Sequence, residues 1–111
     1  MDTRVERFDL AVGGAAEFLR SAWPELRAVD VDVADLPPVP GPDPAEIPRW
    51  QVNREQNRIT LYRIPIERLT RGYRADEHYA RMVVEGFVFR AAGDYLGRDP
   101  WELGPGRFRF L

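Results

Sequence analysis

Apolar residues recur along the chain with two periods, and these divide it into elements. Val5, Phe8, Val12, Ala15 and Leu19 stand three or four residues apart, which lays them along one stripe of a helix. Thr3 and Glu6 ahead of them have capping-box spacing. Gly13-Gly14 weaken the interior of this helix and leave room for another element to approach closely. Pro24 ends it or opens a short further turn, Pro24-Glu25-Leu26. At Val29-Asp30-Val31-Asp32-Val33 the period drops to two, the pattern of a strand with one apolar face. Five prolines from Leu36 to Pro44 then forbid helix and central strand, so residues 36–48 read as a stiff connection.

Trp50-Gln51-Val52 and Arg58-Ile59-Thr60-Leu61-Tyr62-Arg63 read as two strands joined through the polar Asn53–Asn57 segment as a hairpin, with Pro65 ending the second. A long helix is predicted from Ala75 to Leu96. Its apolar set is Tyr79, Met82, Val83, Val84, Phe87, Val88, Ala91, Ala92 and Tyr95, a surface broad enough to make it the most buried helix, and Gly97 supplies its stop. Asp99-Pro100-Trp101-Glu102 has the form of an N-cap followed by proline in a first turn. The order predicts an α+β fold: one domain over 1–111, a small mixed β-sheet packed against an N-terminal helix and a long C-terminal helix, with residues 104–111 as a tail. The alternating Arg107-Phe108-Arg109-Phe110-Leu111 of that tail is expected to dock on its own domain.

Composition narrows the chemistry. The chain has no cysteine and no lysine, one serine (Ser21) and one histidine (His78). That removes thiolate metal sites, disulfides, cysteine nucleophiles and Schiff-base lysines, and leaves a serine triad a single possible Ser-His pair. The net charge of −2 conceals an asymmetry. Residues 1–48 hold four arginines against ten acids, a balance of −6, and residues 49–111 hold twelve arginines against eight acids, a balance of +4. No apolar run is long enough for a membrane span, and the charged opening Met1-Asp2-Thr3-Arg4 lacks a signal-peptide pattern, so a cytoplasmic location is expected.

Three constellations carry possible chemistry. Asp76, Glu77 and His78 supply metal-ligand types, but at a helix start the two acids are better explained by capping and the dipole. Glu85, Asp94 and Asp99 are candidates for acid–base work if two of them converge. Arg54, Arg58, Arg63, Arg68, Arg71, Arg74 and Arg81 around Tyr62 and Tyr73 have the composition of a nucleic-acid surface, although the negative net charge and the absence of a motif speak against it.

The segment Arg58-Ile59-Thr60-Leu61-Tyr62-Arg63-Ile64-Pro65-Ile66-Glu67-Arg68 resembles a bacterial family of minimal zincin-like metallopeptidases, single domains of about this length. The family has an "RITLYR-x-PI" strand followed by a long helix bearing HExxH, whose two histidines lie one turn apart around a glutamate base. The likeness extends over the opening helix, the alternating strand, the long loop and the Gly97-x-Asp99 ending, and it implies a zincin-like minimal fold. Alignment on Gly97 puts the HExxH positions on Arg90-Ala91-Ala92-Gly93-Asp94, and a second register puts them on Val84-Glu85-Gly86-Phe87-Val88. Neither holds the histidine pair. The resemblance therefore implies a degenerate member without catalytic residues, metal or cofactor. Its vestigial metal positions are Arg90, Ala91, Asp94 and Asp99, or Val84, Glu85 and Val88. Arg90 and Asp94, four apart on one helix face, are expected to pair in the vacated site. The implied role is binding of a protein or peptide along Ile59, Thr60, Leu61, Tyr62 and Arg63. The competing classes are a hydrolase with a non-family or partner-completed site, and an arginine-rich nucleic-acid binder.

Overall fold

A computed structural model describes residues 3–38, 47–70 and 76–104. The elements are α1 (Arg4–Ala22), a 3₁₀ turn (Pro24–Leu26), β1 (Asp30–Ala34), β2 (Trp50–Asn53), β3 (Arg58–Tyr62), α2 (Arg63–Thr70), α3 (Glu77–Leu96) and α4 (Pro100–Leu103). Thr3 and Glu6 close the expected capping box on α1, each side chain accepting from the other residue's backbone N–H. Phe8, Val12, Ala15 and Leu19 lie on its buried stripe, while Val5 is exposed. A Cβ on Gly13 would meet open space, and one on Gly14 only the tip of Arg81 at 4.0 Å, which corrects the reading of this pair as a close-approach point. Of the 36–48 connection, Pro37 and Ile47 are buried; residues 39–46 and the tail residues 105–111 lie outside the described residues.

The sheet is mixed, in the order β1-β3-β2. β3 is central. It runs parallel to β1, with Asp30–Ala34 opposite Arg58–Tyr62, and antiparallel to β2, with Trp50 opposite Leu61 and Val52 opposite Ile59. Alternation places Val31, Val33, Trp50, Val52, Ile59 and Leu61 on the face that packs into the core. Residues 54–57 make the hairpin turn, which ends on Asn57 at φ 52°, a conformation asparagine tolerates better than most residues. Pro65 does not mark the end of β3, which stops at Tyr62. The chain turns at once into α2, where Pro65 sits in the first turn and its missing N–H has no intrahelical acceptor to lose.

α3 packs against α1, α2, α4, β2 and β3. A helix surrounded in this way is apolar on most of its circumference, and Val84, Phe87, Val88, Phe89, Ala91 and Ala92 all belong to the core. Asp76 caps its start by accepting from the Tyr79 N–H at 3.0 Å, and Gly97 at φ 70° closes its end. The α+β arrangement of a small mixed sheet with an N-terminal helix and a long C-terminal helix is thus the observed one. Among the described residues no helix is long and apolar enough to cross a membrane.

Candidate functional site

The last two turns of α3 are tied to the β2–β3 hairpin. The Trp50 indole N–H donates to Asp94 Oδ2 at 3.0 Å. Arg54, from the turn, donates to the carbonyls of Asp94 at 2.7 Å and Tyr95 at 3.3 Å in the last turn of the helix, where the Asp94 carbonyl also accepts from the Gly97 N–H. The Tyr95 hydroxyl donates back to Asn57 at 3.1 Å. Arg90 points elsewhere, with its guanidinium 5.0 Å from the centre of the Phe87 ring. The expected Arg90–Asp94 ion pair is therefore not formed. Asp94 is engaged by an indole and Arg90 by a ring face, so each charge is met by a neighbour other than the partner one turn away.

Ala91, which the register on Gly97 sets against the glutamate of HExxH, is fully buried in the core. Gly93 packs so tightly against the chain that follows the helix that a Cβ there would lie 2.6 Å from the Arg98 carbonyl oxygen. Asp94 and Asp99 do share a recess of about 540 Å³, with Arg98 and Glu102 also on its wall. Asp99 occupies the N-cap position of α4, but its side chain makes no capping bond. In the second register Val84 and Val88 are buried, and Glu85, on the same helix, pairs with Arg81 at 3.2 Å. Glu85 therefore does not join Asp94 and Asp99 as a third acid. Of the N-terminal triplet, Asp76 is the cap, Glu77 pairs with Arg7, and His78 is exposed. Among the described residues no three His, Asp or Glu side chains are grouped as a metal centre requires.

Ile59, Thr60, Leu61 and Tyr62 do not provide a peptide-binding edge. They form the central strand, whose backbone is paired with β1 on one side and β2 on the other, and Ile59 and Leu61 are 2% and 0% exposed. Arg63 lies beyond the strand, in the first turn of α2, where it pairs with Asp35 at 2.9 Å and Glu67 at 3.1 Å. Burial alone would lower the pKa of its guanidinium, but the hydrogen bonds and charges of Asp35 and Glu67 outweigh that and leave it raised. Among the described residues, β2 is the edge strand of the sheet beside α3. Tyr62 N–H donates to the Arg49 carbonyl, so Gln51–Thr60 and Asn53–Arg58 are the following hydrogen-bonded pairs in the ladder. The backbone N–H and C=O of Trp50 and Val52 consequently point outward, and no further strand pairs with them among the described residues.

The arginines expected to form one basic surface are dispersed. Arg54 caps α3, Arg58 pairs with Asp32, Arg63 with Asp35 and Glu67, and Tyr62 is buried; Arg71, Tyr73 and Arg74 lie outside the described residues. Three of the set, Arg63, Arg68 and Arg81, instead meet Arg4 and Arg7 around a groove of about 1030 Å³ between α1, α2 and the first half of α3. Composition and motif do not single out Arg4 and Arg7, although their three-residue spacing puts them on one helical face. Trp50 and Arg54 at the end of α3 are equally hidden in the sequence, because nothing in the local pattern indicates which helix a hairpin will meet. Comparison with family models, with curated proteins and with solved structures finds no match to this chain.

Proposed function

We propose that the protein is a non-catalytic peptide-binding module on the plan of a minimal zincin-like metallopeptidase, and that a bound segment pairs with the outer edge of β2. The observation that supports this reading is the juxtaposition of that edge, unpaired among the described residues, with Asp94 through the Trp50 indole. In a zincin-like plan a peptide lies along an edge strand beside the helix that carries the metal ligands. Here the positions aligned with those ligands hold Arg90 and Asp94, and the base position holds Ala91. What remains is backbone recognition: outward N–H and C=O groups at Trp50 and Val52 hold an extended chain by strand addition, with no group to cleave it. On the same reading the module works in the cytoplasm, in keeping with a chain free of cysteine.

Two measurements test it. Zinc analysis after dialysis against a chelator should find no stoichiometric metal, and retained zinc would overturn the loss of catalysis. Selection from a library of displayed linear peptides should yield binders that protect the Trp50 and Val52 amides from hydrogen exchange. Val52→Pro, which removes one outward donor from an edge strand, should weaken such a binder by about tenfold. A selection without binders, or binders that leave both amides unprotected, would reject the β2 edge as the site.

A further inference from the structure

We infer that the groove between α1, α2 and α3 is a second recognition site, for an acidic polypeptide segment that also carries apolar side chains. This inference is independent of the β2 edge. Among the described residues the groove is lined by five arginines, Arg4, Arg7, Arg63, Arg68 and Arg81, against two carboxylates, Glu67 and Glu77. The ion pairs account for only part of that excess. Arg7 is paired with Glu77, Arg63 with Glu67 and Asp35, and Arg81 with Glu85. Arg4 on α1 and Arg68 on α2 have no carboxylate partner among the described residues, and both are exposed. Guanidinium groups so placed suit ligand carboxylates, which they can hold in bidentate fashion.

Shape and apolar content separate a peptide from other anions. The volume is at the top of the range for small-molecule pockets, about 300–1,000 Å³, and exceeds what an inorganic anion needs. Phe8, Ala11 and Val84 are buried beneath the groove, and Leu10 on its wall is 68% exposed, the most exposed large apolar side chain among the described residues. Apolar surface flanked by arginine is the complement of an amphipathic acidic segment. A nucleic acid would instead use exposed rings to stack its bases. The one aromatic ring among the described lining residues apart from the imidazole of His78, that of Phe8, is 4% exposed and offers no such platform.

The test is fluorescence anisotropy with a short labelled peptide alternating Glu and Leu, against the same peptide with Gln for Glu. The Glu peptide should bind the wild-type protein, and rising salt should weaken it. Arg4→Glu with Arg68→Glu should weaken it by about tenfold or more, and Leu10→Ser should weaken it without altering the salt dependence. Arg27→Glu, an exposed change outside the groove, should leave it unchanged. Circular dichroism of each variant separates lost binding from lost folding. Absence of binding by the Glu peptide, equal binding of the Gln peptide, or indifference to the double reversal would overturn the inference. So would displacement of the peptide by oligothymidylate at lower concentration than by unlabelled peptide, which would assign the groove to nucleic acid. Val52→Pro should retain this binding; its loss there, with the fold intact, would place the peptide on the β2 edge and refute the groove as its site.

Discussion

Tyr62 is 2% exposed, and its phenol donates to Gln51 Oε1 at 2.6 Å. Burial pushes that phenol above its ordinary 10.0, because the phenolate would be poorly solvated where the ring sits. The folded protein therefore keeps a proton that the unfolded chain has already released. Its contribution to stability is complete below the unfolded pKa and is lost as pH rises toward the folded one. Chemical denaturation at increasing alkaline pH should show stability falling above about pH 10. Tyr62→Phe should remove that component of the decline. At neutral pH the same variant should cost about 1 kcal/mol, the net value of one hydrogen bond. The sequence shows this residue as part of a strand, and the family likeness assigns it to a peptide groove. What buries it is the fold around the strand, which no local period encodes.

The glycines show how elements differ in what they demand. In α3, Gly93 stands where the helix end meets the backbone of the segment that follows, so Gly93→Ala forces a Cβ against a carbonyl oxygen that cannot easily move. A loss of roughly 1–3 kcal/mol is expected in urea denaturation. In α1, Gly13 faces open space in a helix interior. Gly13→Ala should raise stability by about 0.5–1 kcal/mol in the same measurement, through helix propensity and a less flexible unfolded chain. Opposite signs for one substitution at two helical glycines would confirm that packing decides at one and propensity at the other. From sequence Gly13 reads as a weak point in a helix, and nothing local marks Gly93 as a site of close packing. The α1 capping box, the hairpin and the αL glycine after α3 are legible because each rests on residues a few positions apart. α2 is not. Pro65 reads as the end of a strand, whereas in a first helical turn it is tolerated and the chain can reverse there.

Stability of the folded chain centres on α3. Phe89 is fully buried and stacks on Phe18 of α1 at 5.8 Å between ring centres. It lies outside the apolar set that the period assigns to this helix. A helix enclosed by α1, α2, α4 and the sheet buries residues that a one-faced stripe would leave in solvent. Phe89→Ala should cost roughly 3–5 kcal/mol in urea denaturation, the range for an aromatic removed from a core. A loss below about 1 kcal/mol would mean that α1 and α3 do not share the core described here.

Residue type and short spacing suffice for the helix and strand periods, the caps, the hairpin and the chemistry that is missing. They also suffice to show that no histidine pair exists to hold a zinc ion in the family manner. Long-range packing settled the rest. β3, legible as a strand, became central rather than an edge because both β1 and β2 pair with it. Arg90 and Asp94, correctly placed one turn apart, were drawn to Phe87 and Trp50 instead of each other. Arg4 and Arg68, far apart along the chain, came to border one groove. Strand order, side-chain partners and grooves follow from which distant surfaces bury one another, and that competition is settled only when the whole chain packs.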